Sequence, residues 1–238
     1  MTTLLAILAL ALGDDAEALD KFKADIKGKD GSARAAAVEE LARTKSPKIC
    51  AKLASLLTGE VTEVRIAAAK GLAEQEDKKH AVAYLLAGVP PNAKDPVVLA
   101  PILTAIGKVG QEQGAAEVNK HISDEEVEVA KASVEAAGEI KSGSSFDPLI
   151  KELKTCEEIL KPRDKNAPGG GFGSRFGPGA GRVGGNGQNF REMRERAQTL
   201  KAEIQKVLVS MAKVNCQDAQ DWENWWKEHR ASYRAEKP

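Results

Sequence analysis

Gly179-Ala180-Gly181-Arg182-Val183-Gly184 has the G-x-G-x-x-G spacing that brings a backbone close to a pyrophosphate. That chemistry needs a strand before the glycines and a helix opening within them, so that helix-terminal amides meet the phosphates. Neither flank is present in the sequence, and no GxxxxGK[ST] run occurs. Two pairs of adjacent carboxylates, Glu125-Glu126 and Glu157-Glu158, invite an acid–base reading. Neighbours on a helix diverge by about 100°, however, and cannot face one substrate, so both pairs read as solvated faces, with Glu126 as a helix cap. His80, His121 and His229 stand apart from one another, without HExxH or GxSxG around them. Cys50, Cys156 and Cys216 have no CxxC spacing and fall in helical patterns, where a thiol is a small apolar group. The sequence therefore predicts no catalytic, cofactor-binding or metal-binding residue, no cofactor and no enzyme.

One constellation remains. Trp222, Trp225, Trp226, His229 and Tyr233 recur at i, i+3, i+4, i+7 and i+11, which puts all three tryptophans on one helical face. Large rings each bury roughly 150–250 Å² and suit the exposed flank of an end repeat. Clustered Trp with Arg230 and Arg234 nearby also fits the anchor of a protein interface. Trp222, Trp225, Trp226 and Tyr233 are thus expected to be a structural cap or an interface, with Trp222 and Trp226 inward and Trp225 at the edge.

The elements that would position these residues repeat. Aligning Leu41, Leu72, Ile106 and Ala137 gives steps of 31, 34 and 31 residues, within the range of stacked repeat architectures. The chain of 238 residues is 42% hydrophobic but only 4% aromatic, a composition suited to closely packed helices. Residues 1–160 hold 20 basic and 26 acidic groups, whereas 161–189 hold 5 basic and 1 acidic. An acidic body with a short basic segment is not the footprint of a dedicated nucleic-acid binder.

Local signals place the helices. Ser32 is expected to cap a helix burying Ala37, Val38 and Leu41, and Ser46-Pro47 to open its partner. A second pair starts at Thr62, buries Val64, Ala67, Ala68 and Leu72, and is expected to break at Gly88-Val89-Pro90-Pro91-Asn92. Asp95-Pro96 restarts a helix in which Pro101 predicts a kink or a delayed start. Ser123-Asp124-Glu125-Glu126 reads as a capping box. Asp147-Pro148 opens a helix with Leu149, Ile150, Leu153 and Cys156 inward. Helix resumes at Phe190, with Met193, Ala197, Leu200, Ile204, Val207, Leu208 and Met211 inward.

These residues resemble HEAT-type (HEAT-like, armadillo-type) repeats of the bacterial kind. Val64-Arg65-Ile66-Ala67-Ala68-Ala69-Lys70-Gly71-Leu72 is similar to the family's first-helix pattern, and Arg34 and Arg65 share the place where that family often carries an arginine. Leu99 occupies it in a later repeat. Trp222-Glu223-Asn224-Trp225-Trp226 resembles the W-x-x-W-W element that ends some bacterial HEAT-repeat proteins. The resemblance implies an all-α fold, a right-handed α-solenoid of helix pairs with a Trp-rich capping helix. It further implies a non-catalytic scaffold whose partner is a protein or peptide. Alternatives are a HEAT-like lyase of the bilin-attaching type, and RNA binding through Phe172, Arg175, Phe176 and Arg182, where rings stack on bases.

The expected organisation is a candidate signal peptide at 1–13, HEAT-like repeats at 14–160, a Gly-rich flexible loop at 161–189 and C-terminal repeat and capping helices at 190–238. Leu4–Leu12 is apolar without interruption, too short for the roughly 20 residues of a spanning helix but suited to a signal core, with Ala11 and Gly13 as small residues near a cleavage site. No Lys or Arg precedes it. A periplasmic or secreted location follows, with a cytoplasmic N-terminal helix as the alternative. In an exported chain Cys156 and Cys216 could form a disulfide.

Overall fold

A computed structural model describes residues 15–27, 30–162 and 187–233. Among these residues the fold is all-α: eleven helices and no strand. They are α1 (15–25), α2 (Gly31–Leu41), α3 (Pro47–Ser55), α4 (Thr62–Ala73), α5 (Lys78–Asn92), α6 (Pro96–Val109), α7 (Ala115–Lys120), α8 (Val127–Ile140), α9 (Phe146–Leu160), α10 (Gly187–Ala212) and α11 (Ala219–His229). None is long and apolar enough to cross a membrane. Residues 1–13, including the proposed signal core, and most of the Gly-rich segment with its G-x-G-x-x-G run lie outside the described residues.

Helices α2, α4, α6 and α8 each pack on the next, and α10 packs on both α8 and α9. Beside that row, α3 packs on α4 and α5, α5 on α6, α7 on α8, and α11 on α9. The aligned residues Leu41, Leu72, Ile106 and Ala137 are all buried. Small residues let the row close tightly: a methyl group added at Gly107 would sit 2.6 Å from Ala136 Cα, and one at Gly71 2.7 Å from Ala42 Cβ. The resulting core is aliphatic and continuous, as helices of this composition require.

Polar bonds join elements 26 to 35 residues apart in the chain. Arg34 on α2 pairs with Glu60, and Arg65 on α4 donates to Asn92 Oδ1 and to Asp95 Oδ2, both at 2.7 Å. Two buried amides make the equivalent links to backbone. Gln75 Nε2 donates to the Ala42 carbonyl at 3.1 Å, and Asn92 Nδ2 to that of Leu57 at 3.0 Å.

Several local expectations need correction. Asp30, not Ser32, caps α2, its carboxylate accepting from the Ala33 amide at 2.8 Å; the earlier acceptor gains the helix two residues, Gly31 and Ser32. Ser46 caps α3 as its sequence implies, accepting from Ile49 N–H at 3.2 Å. Helix α5 does not break at Gly88 but runs through Pro90 and Pro91 to Asn92. The prolines face solvent, and the carbonyls they orphan, on Leu86 and Ala87, lie at half-buried and exposed residues. Helix α6 opens at Pro96, as Asp95-Pro96 implies, and of the two outcomes expected at Pro101 the delayed start does not occur. The capping box does not form: α8 begins at Val127, and Asp124 Oδ1 accepts from the Glu126 amide at 3.1 Å in a tighter turn. Helix α9 starts one residue early at Phe146, and α10 three residues early at Gly187. Cys50, Cys156 and Cys216 are all free thiols, so the conditional Cys156–Cys216 disulfide is not present.

Candidate functional site

Helix α11 is set by its own sequence: Asp218 caps it by accepting from the Asp221 amide at 2.9 Å, and Ala219, Trp222 and Trp226 form its buried stripe. Glu157 draws its N-terminus onto α9, accepting from the Ala219 amide at 3.3 Å while pairing with Lys201 of α10 at 3.2 Å. Glu157 is therefore a bridge between three helices and not the solvated face its sequence suggested. Lys154 adds an exposed pair to Glu223 at 3.4 Å.

The rings meet around a residue that periodicity overlooked. Phe146, fully buried at the start of α9, stacks on Trp226 at 4.3 Å between centroids and 12° between planes. Tyr233 meets the same phenyl ring edge-on at 4.9 Å, and Trp225 approaches it at 5.7 Å. Trp222 stands perpendicular to Trp225 at 5.9 Å. Pairs at these separations contribute about 0.5–1.5 kcal/mol each beyond area burial.

The four candidate residues thus converge, in three environments. Trp222 is completely buried and Trp226 is 8% exposed, and both indole Nε1–H groups are buried without an acceptor. Trp225 is half-buried and stacks against exposed His229 at 4.6 Å and 11°. Tyr233 lies past the end of α11 at His229, so the single-helix reading of the stripe stops short of it. Its hydroxyl donates to the Lys141 carbonyl at 3.3 Å. Lys141 has φ +56°, and the turn after it brings Gly143 within 3.6 Å of the Trp226 ring for any added methyl group. The outward side of α11 is polar: Gln220, Asn224, Lys227 and Glu228 are exposed.

A second polar centre lies beneath α10. Arg196 donates to Glu152 Oε1 at 3.1 Å and to the Asp124 carbonyl at 2.7 Å. Glu152 is 4% exposed, and an acid so buried requires a charged partner. Cys156 lies beside it, with Sγ 4.0 Å from Glu152 Oε1. Burial, reinforced by the Glu152 charge, pushes the Cys156 thiol up to about 12; burial likewise raises Cys50 to about 11. Thiols so shifted are poor nucleophiles.

His121 is not isolated in space, with Nδ1 3.1 Å from Asp124 Oδ2 and Nε2 3.7 Å from Glu117 Oε1. His80 contacts Asp77 at 2.6 Å on the surface. Among the described residues no group of three or more His, Cys, Asp or Glu side chains is arranged to hold a metal ion. Sequence reasoning missed Phe146, Glu152 and Arg196. Phe146 directly precedes the proposed Asp147-Pro148 start, and the partners of Arg196 lie 44 and 72 residues away, beyond any periodic signal. A scan of protein-family models matches none to this chain, and a search of curated proteins finds no similar sequence.

Proposed function

We propose that this chain is a HEAT-like α-solenoid that works as a non-catalytic protein-binding scaffold, exported from the cytoplasm and closed on one side by α11. The observation that carries the reading is the span of its polar links. Arg34–Glu60, Arg65–Asp95, Gln75–Ala42 and Asn92–Leu57 join residues 26, 30, 33 and 35 apart. Links of one repeat length, between helices that each pack on the next of their row, are what a stack of equivalent units makes. Such a stack offers a long surface on which many modest contacts add up. The cap reading of α11 is supported by its buried Trp222 and Trp226 on one side and its polar residues on the other, the pattern a terminal unit needs.

The test is affinity capture from the native cell at physiological salt. A scaffold yields a stoichiometric protein partner that survives nuclease treatment. Recovery of RNA instead, or of no protein above the level of an unrelated helical control, overturns the reading.

A further inference from the structure

The central helix of the row is apolar on the wrong side. Of the fourteen residues of α6, Lys108 alone is charged, although an amphipathic helix with one solvated face ordinarily carries polar groups along it. Its outward stripe is Val97, Ala100, Pro101 and Thr104. Val97 is 62% exposed, and the Thr104 hydroxyl is tied back to its own helix, donating to the Ala100 carbonyl at 3.0 Å. Pro101 has no N–H to give, which leaves the Val97 carbonyl without its helical donor. An apolar strip with a spare acceptor is therefore displayed where water would favour charge.

Ala100, Pro101 and Thr104 of this strip are the floor of a cleft of about 270 Å³ between α4, α6 and α8. Its walls are unlike. Lys70 of α4 and Lys108 of α6 are the charged groups on one side, while on the α8 side Lys131 lies between Glu128 and Glu135. Among the described residues, Lys70, Lys108 and Lys131 have no carboxylate partner. The α4–α6 wall is therefore basic, and it faces an α8 wall of mixed charge on which Lys131 is flanked by Glu128 and Glu135.

We infer that this cleft docks a peptide segment of a partner protein that carries apolar side chains on one side and carboxylates beside them. The apolar groups would cover Ala100, Pro101 and Thr104, and the carboxylates would meet Lys70 and Lys108. The inference rests on the scaffold reading above and assigns it a surface and a partner chemistry. Charges at the rim of such a site set specificity and encounter rate more than affinity, so binding should weaken as salt rises.

The experiment is fluorescence anisotropy on the full chain with two labelled short peptides, one of Leu, Ala and Glu and one with Lys in place of each Glu. The acidic peptide should bind and the basic one should not. The K70E/K108E variant, whose altered side chains are exposed, should keep the parent's melting curve and lose about tenfold in affinity for the acidic peptide, the size expected from reversing two exposed charges. A K79E/K94E control, at exposed lysines outside the cleft, should bind as the parent does. Equal binding of both peptides, an equal loss in the control, or tighter binding of a single-stranded oligonucleotide that K70E/K108E abolishes would each overturn the assignment. Capture of the cell's own partner separates the two levels. If K70E/K108E retains that partner as the parent does, the scaffold stands and this cleft falls; if the parent captures none, the scaffold reading fails first.

Discussion

The joint between α6 and α8 and the joint between α9 and α11 solve one problem by opposite means. At the first, Gly107 faces the Ala136 backbone so closely that a single methyl group has no room. At the second, Phe146 and Trp226 lie face to face at 4.3 Å with Tyr233 edge-on. A helix between two neighbours gains most from close approach, since small residues let two long surfaces touch along their length. Helix α11 is bound chiefly through α9, and a few large rings supply the burial that a second neighbour would have given. The lesson is that residue size here tracks the number of neighbours.

The strongest way to break this contrast is Trp222→Ala. Removing a fully buried indole should cost about 3–5 kcal/mol, read as a shift in the urea midpoint, with Trp226→Ala and Phe146→Ala close behind. Trp225→Ala should cost clearly less because its ring is half-exposed. A Trp222→Ala protein that melts with the parent would show that α11 contributes no stability, and would leave its rings as binding anchors.

The small-residue joint should fail by overfilling. Gly107→Ala is expected to cost about 1–3 kcal/mol, more than Gly71→Ala, because it meets backbone, whereas a methyl group at Gly71 meets only the Ala42 and Leu53 side chains. Equal melting of Gly107→Ala and the parent would mean that the two helices part easily, and that close approach is not what holds them. A smaller change serves as calibration: Ser46→Ala, which removes the α3 cap, should cost about 1 kcal/mol in the same melts.

Thiol reactivity sharpens the comparison without perturbing either joint. At pH 8 a disulfide reagent should label half-buried Cys216 first, while Cys50 and Cys156, raised to about 11 and about 12, should wait for unfolding. Because both are raised above the ordinary value near 9, the fold favours the neutral thiol. Their stabilisation is complete below pH 9 and is lost as pH rises through the folded values. Urea midpoints should therefore fall between pH 9 and 11, and less so in Cys156→Ala; midpoints flat across that window would contradict the buried-thiol assignment.

Much of the helical skeleton was legible because its signals are local. Leu41, Leu72, Ile106 and Ala137 fall 31 to 34 residues apart and all reach the core, and the stripe from Ala197 to Met211 follows simple helical spacing. Helix ends were less so. Ser123 and Glu126 have the right types for a capping box, but Asp124 offers a competing acceptor one residue closer, and the turn it makes prevails. Pro90 and Pro91 look like a break until their side is known, since a proline on the wet face orphans only carbonyls that water can reach. For the candidate site, the spacing of Trp222, Trp225 and Trp226 revealed a stripe but not Phe146 at its centre. That ring comes from a different helix, and nothing local ties the two.

Arg196 has a consequence for the order in which the chain is made. The links among α2 to α6 span 26 to 35 residues, so each needs only the segment that directly follows. The links to α10 and α11 are longer, and among them buried Glu152 has its guanidinium partner 44 residues later. At a synthesis rate of about 5–20 residues per second, that is a wait of roughly 2 to 9 s. Throughout the interval the face that α10 will cover stands open with the Glu152 carboxylate within it, a polar group that disfavours apolar contacts until it is paired. Arrival of Arg196 discharges that guard and lets the face close.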